Sequence, residues 1–293
     1  MKITTQIQGG LGNQLFQYAT GKALSARLKG SLELDIDWFN HGWEDVTPRH
    51  FLLPELALHY QVSANAPITK SPKRWRRIAQ ALLPLNPYIL SDRPFRFNAQ
   101  LNQFTPYASQ DVYLMGYWQS YRYLDAIRTE LLNEIKPKTL ISAHYQDYLH
   151  QIQNNVSAMV HVRRGDYVHL PVAAKVHGFL GLEYYQQGMR LLLETNPDIR
   201  FYVFSDDLEW AKANLPYPER ICFIESASEK SAPVQELFLM SQCQKHLIAN
   251  SSLSWWGAWL SKSSNPQVIA PQNWTNDRDK SWDDLLPPQW QRI

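Results

Sequence analysis

The sequence predicts an α/β fold of two doubly wound, Rossmann-like halves facing a cleft. Three observations carry that expectation. A strand, a glycine-rich turn, a helix and a second strand open the chain over residues 2–36. From 156 onward, short β-branched runs alternate with segments of helical length, forming a second βαβ series. The chain has 293 residues, 44% of them hydrophobic, enough for two such cores.

The elements follow in order. Lys2–Gln8 reads as a strand, and Gly9-Gly10-Leu11-Gly12 as a turn. Asn13–Leu28 carries Leu15, Phe16, Ala19, Ala23 and Leu24 at helical spacing, and Ser31–Ile36 is a second strand. Residues 40–110 are rich in proline and aromatics and predict short helices and long loops. Val112–Met115 reads as a strand, and Tyr121–Ile135 and Thr139–Gln153 as helices. The second series has strands at Val156–Val162, Arg200–Ser205, Arg220–Phe223, His246–Ala249 and Gln267–Ala270. Helices are expected between them, over about 182–195, 207–214, 233–244 and 252–262. The halves are expected to divide at 155/156, giving domains 1–155 and 156–293.

Composition narrows the function. Charged residues make up 19% and the net charge is +2, which argues against a polyanion as the main partner. Eleven Trp and 15 Tyr offer flat faces that suit sugar rings, and plain cores equally well. Cys222 and Cys243 cannot build a disulfide framework or a CxxC metal site. The N-terminus has no apolar core of signal-peptide length, so a cytoplasmic location is expected.

In an open parallel sheet, ligands bind beyond the carboxyl ends of the strands. Four such ends carry notable residues. The turn through Gly10 and Asn13 lets backbone amides approach a ligand at the start of a helix. His161-Val162-Arg163-Arg164-Gly165-Asp166 delivers two guanidiniums suited to phosphate oxygens, although structural ion pairs, one with Asp166, would explain them too. Asp206 and Asp207 end another strand and would either cap the next helix or line a pocket. Asn250, Ser251 and Ser252 open a helix whose free amides and hydroxyls suit an anion. Glu236 reads as a first-turn acid of the preceding helix. Arginines at one strand end and a helix N-terminus at another suggest a diphosphate held between them.

Four stretches, GGLGNQLFQYA at 9–19, HVRRGDY at 161–167, FSDD at 204–207 and ELFLMSQCQKHLIANSSLSWWGAWLS at 236–261, together resemble the bacterial α-1,2-fucosyltransferases of glycosyltransferase family 11. They run in order across nearly the whole chain. The resemblance implies a GT-B-like fold and inverting transfer of fucose from GDP-fucose to a galactose 2-hydroxyl, with no metal. It implies that Arg163 holds the β-phosphate, that His161 lies against the guanine or its ribose, and that Ser251 and Ser252 donate to phosphate, with Asn250 and Gly10 as further donor-binding residues. Asn13 would face the reaction centre, Asp206 would line the nucleotide pocket, and Glu236 would read the guanine edge, where relatives carry Asp. A relative's proposed base falls at Pro171, so Asp166 becomes the candidate base, with a role in orienting Arg164 as the competing reading. For the acceptor, Trp118 and Gln119 would pair a stacking face with an amide, and Trp38 is a second stacking candidate.

Two alternatives remain open at the level of sequence. Asp35-Ile36-Asp37 matches the DxD pair that holds a divalent metal in other glycosyltransferases, which would imply another nucleotide sugar. A non-catalytic carbohydrate-binding protein is the other. The basic, amphipathic stretch 73–83 would give peripheral contact with the inner face of a membrane, or simply a solvated helix.

Overall fold

The computed structural model of the chain describes residues 1–41, 49–63, 87–106, 110–165, 168, 174, 178–264 and 266–293. The chain divides into two compact units. The first comprises Met1–Leu53 and Leu58–Glu134, and the second Pro54–Ala57 and Ile135–Ile293.

The first unit holds β1 (Lys2–Gln6), β2 (Ser31–Asp35), β3 (Gln61–Val62), β4 (Tyr88–Ser91) and β5 (Val112–Met115). Every pairing among them is parallel, in the order β3-β2-β1-β5-β4. The order reverses between β1 and β5, which makes their carboxyl ends the switch point of this sheet. Helix α1 (Leu11–Leu28) crosses from β1 to β2 and buries Leu15, Phe16, Tyr18 and Ala19. Further on lie α2 (Ala99–Gln103) and α3 (Arg128–Glu134). The helix expected over 121–135 is instead two 3₁₀ turns, Tyr121–Tyr123 and Asp125–Ile127, that run into α3. Their tighter bonding, such as Leu124 N–H to Tyr121 O at 2.8 Å, turns Tyr123, Leu124 and Ile127 into the core.

The second unit begins with α4 (Ala143–Asn154). Its strands are β6 (Ser157–Val162), β7 (Arg200–Ser205), β8 (Ile221–Phe223), β9 (Lys245–Leu247), β10 (Gln267–Ala270) and β11 (Gln291–Arg292). They pair in parallel in the order β11-β10-β9-β6-β7-β8. Counted from β6, that is 3-2-1-4-5-6 read from the β8 edge, the order of a dinucleotide-binding sheet with its switch point between β6 and β9. Helices α5 (Leu182–Thr195), α6 (Leu208–Asn214), α7 (Ala232–Gln242) and α8 (Ser252–Trp259) connect the strands. Ala158, Val160 and Val162 on one face of β6 pack with Phe201 and Val203 of β7 and Met189 and Leu192 of α5. Trp255, Trp256 and Trp259 of α8 are buried and pack on one another, with Trp255 Nε1–H bonded to Leu285 O at 2.9 Å.

The division falls after Glu134 rather than at 155. Helix α4 belongs to the second unit: Tyr145 and Ile152 are buried, and Ser142 N–H and Tyr145 OH bond to Gln235 and Glu236 of α7. Among the described residues, no helix is long and apolar enough to cross a membrane. The basic stretch 73–83 lies outside the described residues.

Candidate active site

In the second unit the site grows from strand register. Strands β6 and β7 pair as far as Val162↔Ser205. The next residues out are therefore two arginines opposite two aspartates. Arg163 Nη1 lies 2.8 Å from Asp206 Oδ2, and Arg164 pairs with Asp207. Successive residues of an extended chain point to opposite sides, so the two pairs part. Arg164 follows the core face of Val162 and lies over Phe179 and Trp210, its Cζ 5.9 and 5.4 Å from the ring centroids. Asp207 also caps α6, accepting from Trp210 N–H at 3.1 Å. Arg164 thus has a structural role, and its acidic partner among the described residues is Asp207.

Arg163 follows the face of His161. Asp206 steadies it by accepting from both the Arg163 guanidinium and the Arg164 backbone N–H, the latter at 2.8 Å. Arg163 and Asp206 keep 20% and 23% of their side-chain surface exposed. His161 is 5% exposed, and its Nδ1 is buried with no hydrogen-bond partner among the described residues. Burial, reinforced by the Arg163 charge and opposed by Asp206, lowers its pKa to about 4, so the ring is neutral at physiological pH. Asp166, the candidate base, lies outside the described residues.

On the other side of the switch point, β9 leads through Ser251 into α8. Ser251 is the N-cap, yet its side chain makes no capping bond. Ser251 and Ser252 are half-buried at the positive end of that helix. Asn250 departs from expectation. It is 1% exposed, and its amide donates inward to Gly178 O and Trp274 O at 3.2 and 3.3 Å, so it ties the surrounding loops together. Glu236 lies in the second turn of α7, not the first. Burial raises its pKa against the hydrogen bonds from Ser226 and Tyr145. Tyr145 OH donates to Glu236 Oε1 at 2.9 Å and accepts from Ala227 N–H at 2.9 Å. Sequence reasoning missed Tyr145, because α4 reads as an ordinary amphipathic helix.

In the first unit, β1 and β5 pair through Thr5↔Leu114, so their loops emerge side by side. Gly10 is the N-cap of α1. Gly9 has φ +77°, and a Cβ there would lie 2.9 Å from Asn13 Nδ2. Asn13 Oδ1 accepts from Gln119 Nε2 at 2.8 Å, which joins two of the expected site residues. Gln17 spans the same point, accepting from Gln8 N–H and donating to Gly116 O. Trp118 is not the stacking face. It is fully buried, edge-on to Tyr123 at 5.8 Å, with φ +55°, a left-handed conformation that costs a non-glycine residue about 1–2 kcal/mol. The exposed ring of this turn is Tyr117, 37% exposed, with Cε1 3.6 Å from a Cβ built at Gly9. Trp38 is half-buried on the turn Asp37–Asn40 after β2, edge-on to Phe39. The strand order puts it on the other side of β1 from Gln119.

The DxD pair does not converge. Asp35 is buried, accepting from Tyr113 OH at 2.5 Å and from Asp37 N–H at 3.0 Å. The Asp37 side chain is 54% exposed and pairs with His41 at 3.0 Å. Among the described residues no three His, Cys, Asp or Glu side chains group as a metal site.

A guanidinium fixed at one strand end and a helix N-terminus at the next, over a 3-2-1-4-5-6 sheet, define a GT-B-like glycosyltransferase. Residues 1–293 match the model of glycosyl transferase family 11, and the chain belongs to that family. It is 32% identical to the alpha-1,2-colitosyltransferase of Escherichia coli over 297 residues, covering 99% of this chain and 98% of that protein. It is 25% identical to the galactoside 2-alpha-L-fucosyltransferase SEC1 of Bos taurus, covering 89% of this chain and 65% of that one. The fold is similar to that of the alpha-1,6-fucosyltransferase NodZ of Bradyrhizobium soaked with GDP-fucose, with a TM-score of 0.52, 14% identity, and 89% and 92% of the two chains covered.

Proposed function

We propose that this glycosyltransferase moves L-fucose from GDP-fucose to the 2-hydroxyl of a galactose residue in a glycan acceptor, with inversion and without a metal ion. The observation that carries the reading is Arg163, held by Asp206 just beyond β6, with the helix N-terminus at Ser251 and Ser252 following the neighbouring strand β9. The second unit takes the donor and the first the acceptor. As the fucose C1–O bond breaks, negative charge grows on the departing GDP. A guanidinium fixed beside the β-phosphate gains strength with that charge and lowers the barrier. Neutral His161 offers a ring nitrogen to the nucleoside, and Glu236, oriented by Tyr145, accepts from the guanine N–H groups.

Asn13 and Gln119 orient the acceptor hydroxyl, with the exposed ring of Tyr117 as its stacking surface. Asp207 already fills the task of pairing with Arg164, which leaves the base role as the reading for Asp166. The Asp35 carboxylate is committed to Tyr113 and to Asp37 N–H, and Arg163 supplies the countercharge that a metal would supply. Peripheral contact of the 73–83 stretch with the cytoplasmic face of a membrane belongs to the same reading.

The test is an acceptor screen with GDP-fucose, reading free GDP and product linkage with and without EDTA. An α-1,2-linked fucosyl galactoside formed at equal rate in EDTA is the expected result. GDP release without a fucosylated product, or loss of rate in EDTA, would overturn it. The relative named as a colitosyltransferase supports a second donor, since colitose is fucose lacking its 3-hydroxyl. Rates with the two activated sugars in competition decide between them.

A further inference from the structure

We propose that Asp92 is the positioning residue of the acceptor side, acting through the 116–119 turn on Gln119 and Asn13. The proposal rests on the reading that the β1–β5 switch point serves the acceptor. Asp92 is the first residue beyond β4, and the pairing Ser91↔Met115 brings it out opposite Gly116. Gly116 has φ +136°, and a Cβ there would lie 2.2 Å from Asp92 Cβ, so the aspartate sits where only a glycine can face it. From that position a single oxygen, Asp92 Oδ2, accepts from both Tyr117 N–H at 3.2 Å and Trp118 N–H at 2.9 Å.

Two adjacent amides aimed at one oxygen require the turn to stay curled, and Trp118 is held in the left-handed region that an indole-bearing residue avoids. The curl has a definite product. The Trp118 ring goes into the core, the Tyr117 ring goes outward, and Gln119 returns to meet Asn13. A turn that relaxed to ordinary extended backbone would reverse the alternation from Trp118 onward and break the Gln119–Asn13 bond. The strain is therefore kept for the placement of Gln119.

The turn asks of Asp92 an acceptor oxygen in this place. The hydrogen bonds to Asp92 come from backbone amides, including that of Arg93, and burial raises its pKa. Its other oxygen, Oδ1, is buried with no hydrogen-bond partner among the described residues. An uncharged amide oxygen at the same place would still accept from both amides, through weaker bonds, so Asp92→Asn is the informative variant beside Asp92→Ala.

The experiment measures acceptor KM, kcat, GDP affinity and acceptor-free donor hydrolysis for the parent, Asp92→Ala, Asp92→Asn, Gln119→Ala and Asp92→Ala/Gln119→Ala. Asp92→Ala is expected to raise acceptor KM about tenfold or more while GDP affinity and donor hydrolysis stay within about twofold. Asp92→Asn should stay within about threefold of the parent, and the double variant should be no worse than Gln119→Ala alone. Additive losses in the double variant, an unchanged KM in Asp92→Ala, or equal failure of Asp92→Asn and Asp92→Ala would each overturn the proposal. Should Asp92→Ala not fold, Asp92→Ser and Asp92→Ser/Gln119→Ala take the place of the alanine pair, with the same expected and overturning results. A parent that fucosylates no galactoside refutes the function; an active parent with an indifferent Asp92 refutes only the positioning.

Discussion

Replacing Arg163 by alanine separates a structural arginine from a catalytic one, because the two roles have different magnitudes. Among the described residues, Arg163 gives Asp206 one hydrogen-bond partner and Arg164 N–H another. Both side chains keep about a fifth of their surface in water. Loss of the guanidinium leaves a half-satisfied, partly hydrated carboxylate, which costs about 1–2 kcal/mol. That is ~2–4 °C in Tm per kcal/mol for a unit of this size. A purely structural Arg163 would show that drop and little else in kcat per folded molecule. Stabilising the departing diphosphate asks more of the same group. Removing one preorganised donor typically lowers kcat about 10²–10³-fold, or ~3–4 kcal/mol of transition-state stabilisation.

The assay is initial GDP release and fucosyl product with both substrates saturating, corrected for folded protein by the thermal transition. Arg163→Lys restores a point charge but not the planar fork, so it should recover part of the rate. An alanine variant retaining more than about a tenth of the parent kcat would refute the leaving-group role.

Two further expectations follow from burial. Trp118→Ala should cost about 3–5 kcal/mol of stability, because the indole lies wholly inside the first unit. Tyr117→Ala should leave Tm nearly unchanged and raise acceptor KM by roughly tenfold at most, the loss of one stacking face. The opposite pattern would show that the turn faces the other way in solution. Acid stability is the second. Burial lowers the pKa of His161 and of His246 from 6.5 to about 4. The unfolded chain takes up those protons near 6.5 while the folded chain refuses them until about 4. Their contribution is complete above the unfolded value and is lost as pH falls through that window. Asp92 and Glu236, with pKa values raised by burial, act in the opposite sense. His246→Gln isolates the histidine term, and Tm measured from pH 8 to 4 should fall less steeply in that variant; an identical slope would contradict the assignment.

The second sheet was legible because β6, β7 and β10 are mainly apolar runs that open on a polar or charged residue, with His161 the one polar residue inside β6. The middle of the first unit was not. Strand β4 is four residues long, and β3 is a two-residue exposed pair, too short for either to show a period. The 155 boundary failed for a related reason. Helix α4 precedes the first clean strand of the second series, and nothing in its own sequence says that Tyr145 will lie under α7. Asn250 looked like part of an anion site because of its neighbours, whereas burial turns its amide inward.

The two arginines of the β6 end show where sequence reading meets its limit and where register extends it. In the chain they are adjacent and chemically identical, and a nearby acid, Asp166, is the obvious partner for either. The partners among the described residues lie about forty residues on, and they become visible only once β6 and β7 are aligned. Then an arginine doublet and an aspartate doublet form two successive rungs, and alternation sends the rungs to opposite faces. One rung lies over Phe179 and Trp210 at the edge of the core, still partly in water; the other joins His161 on the opposite face. The inward rung explains the precision of the outward one. Arg164 anchors the backbone whose N–H holds Asp206, and Asp206 in turn holds Arg163. Losing Arg164 should therefore reach the reaction through the position of Arg163, in addition to its cost in stability.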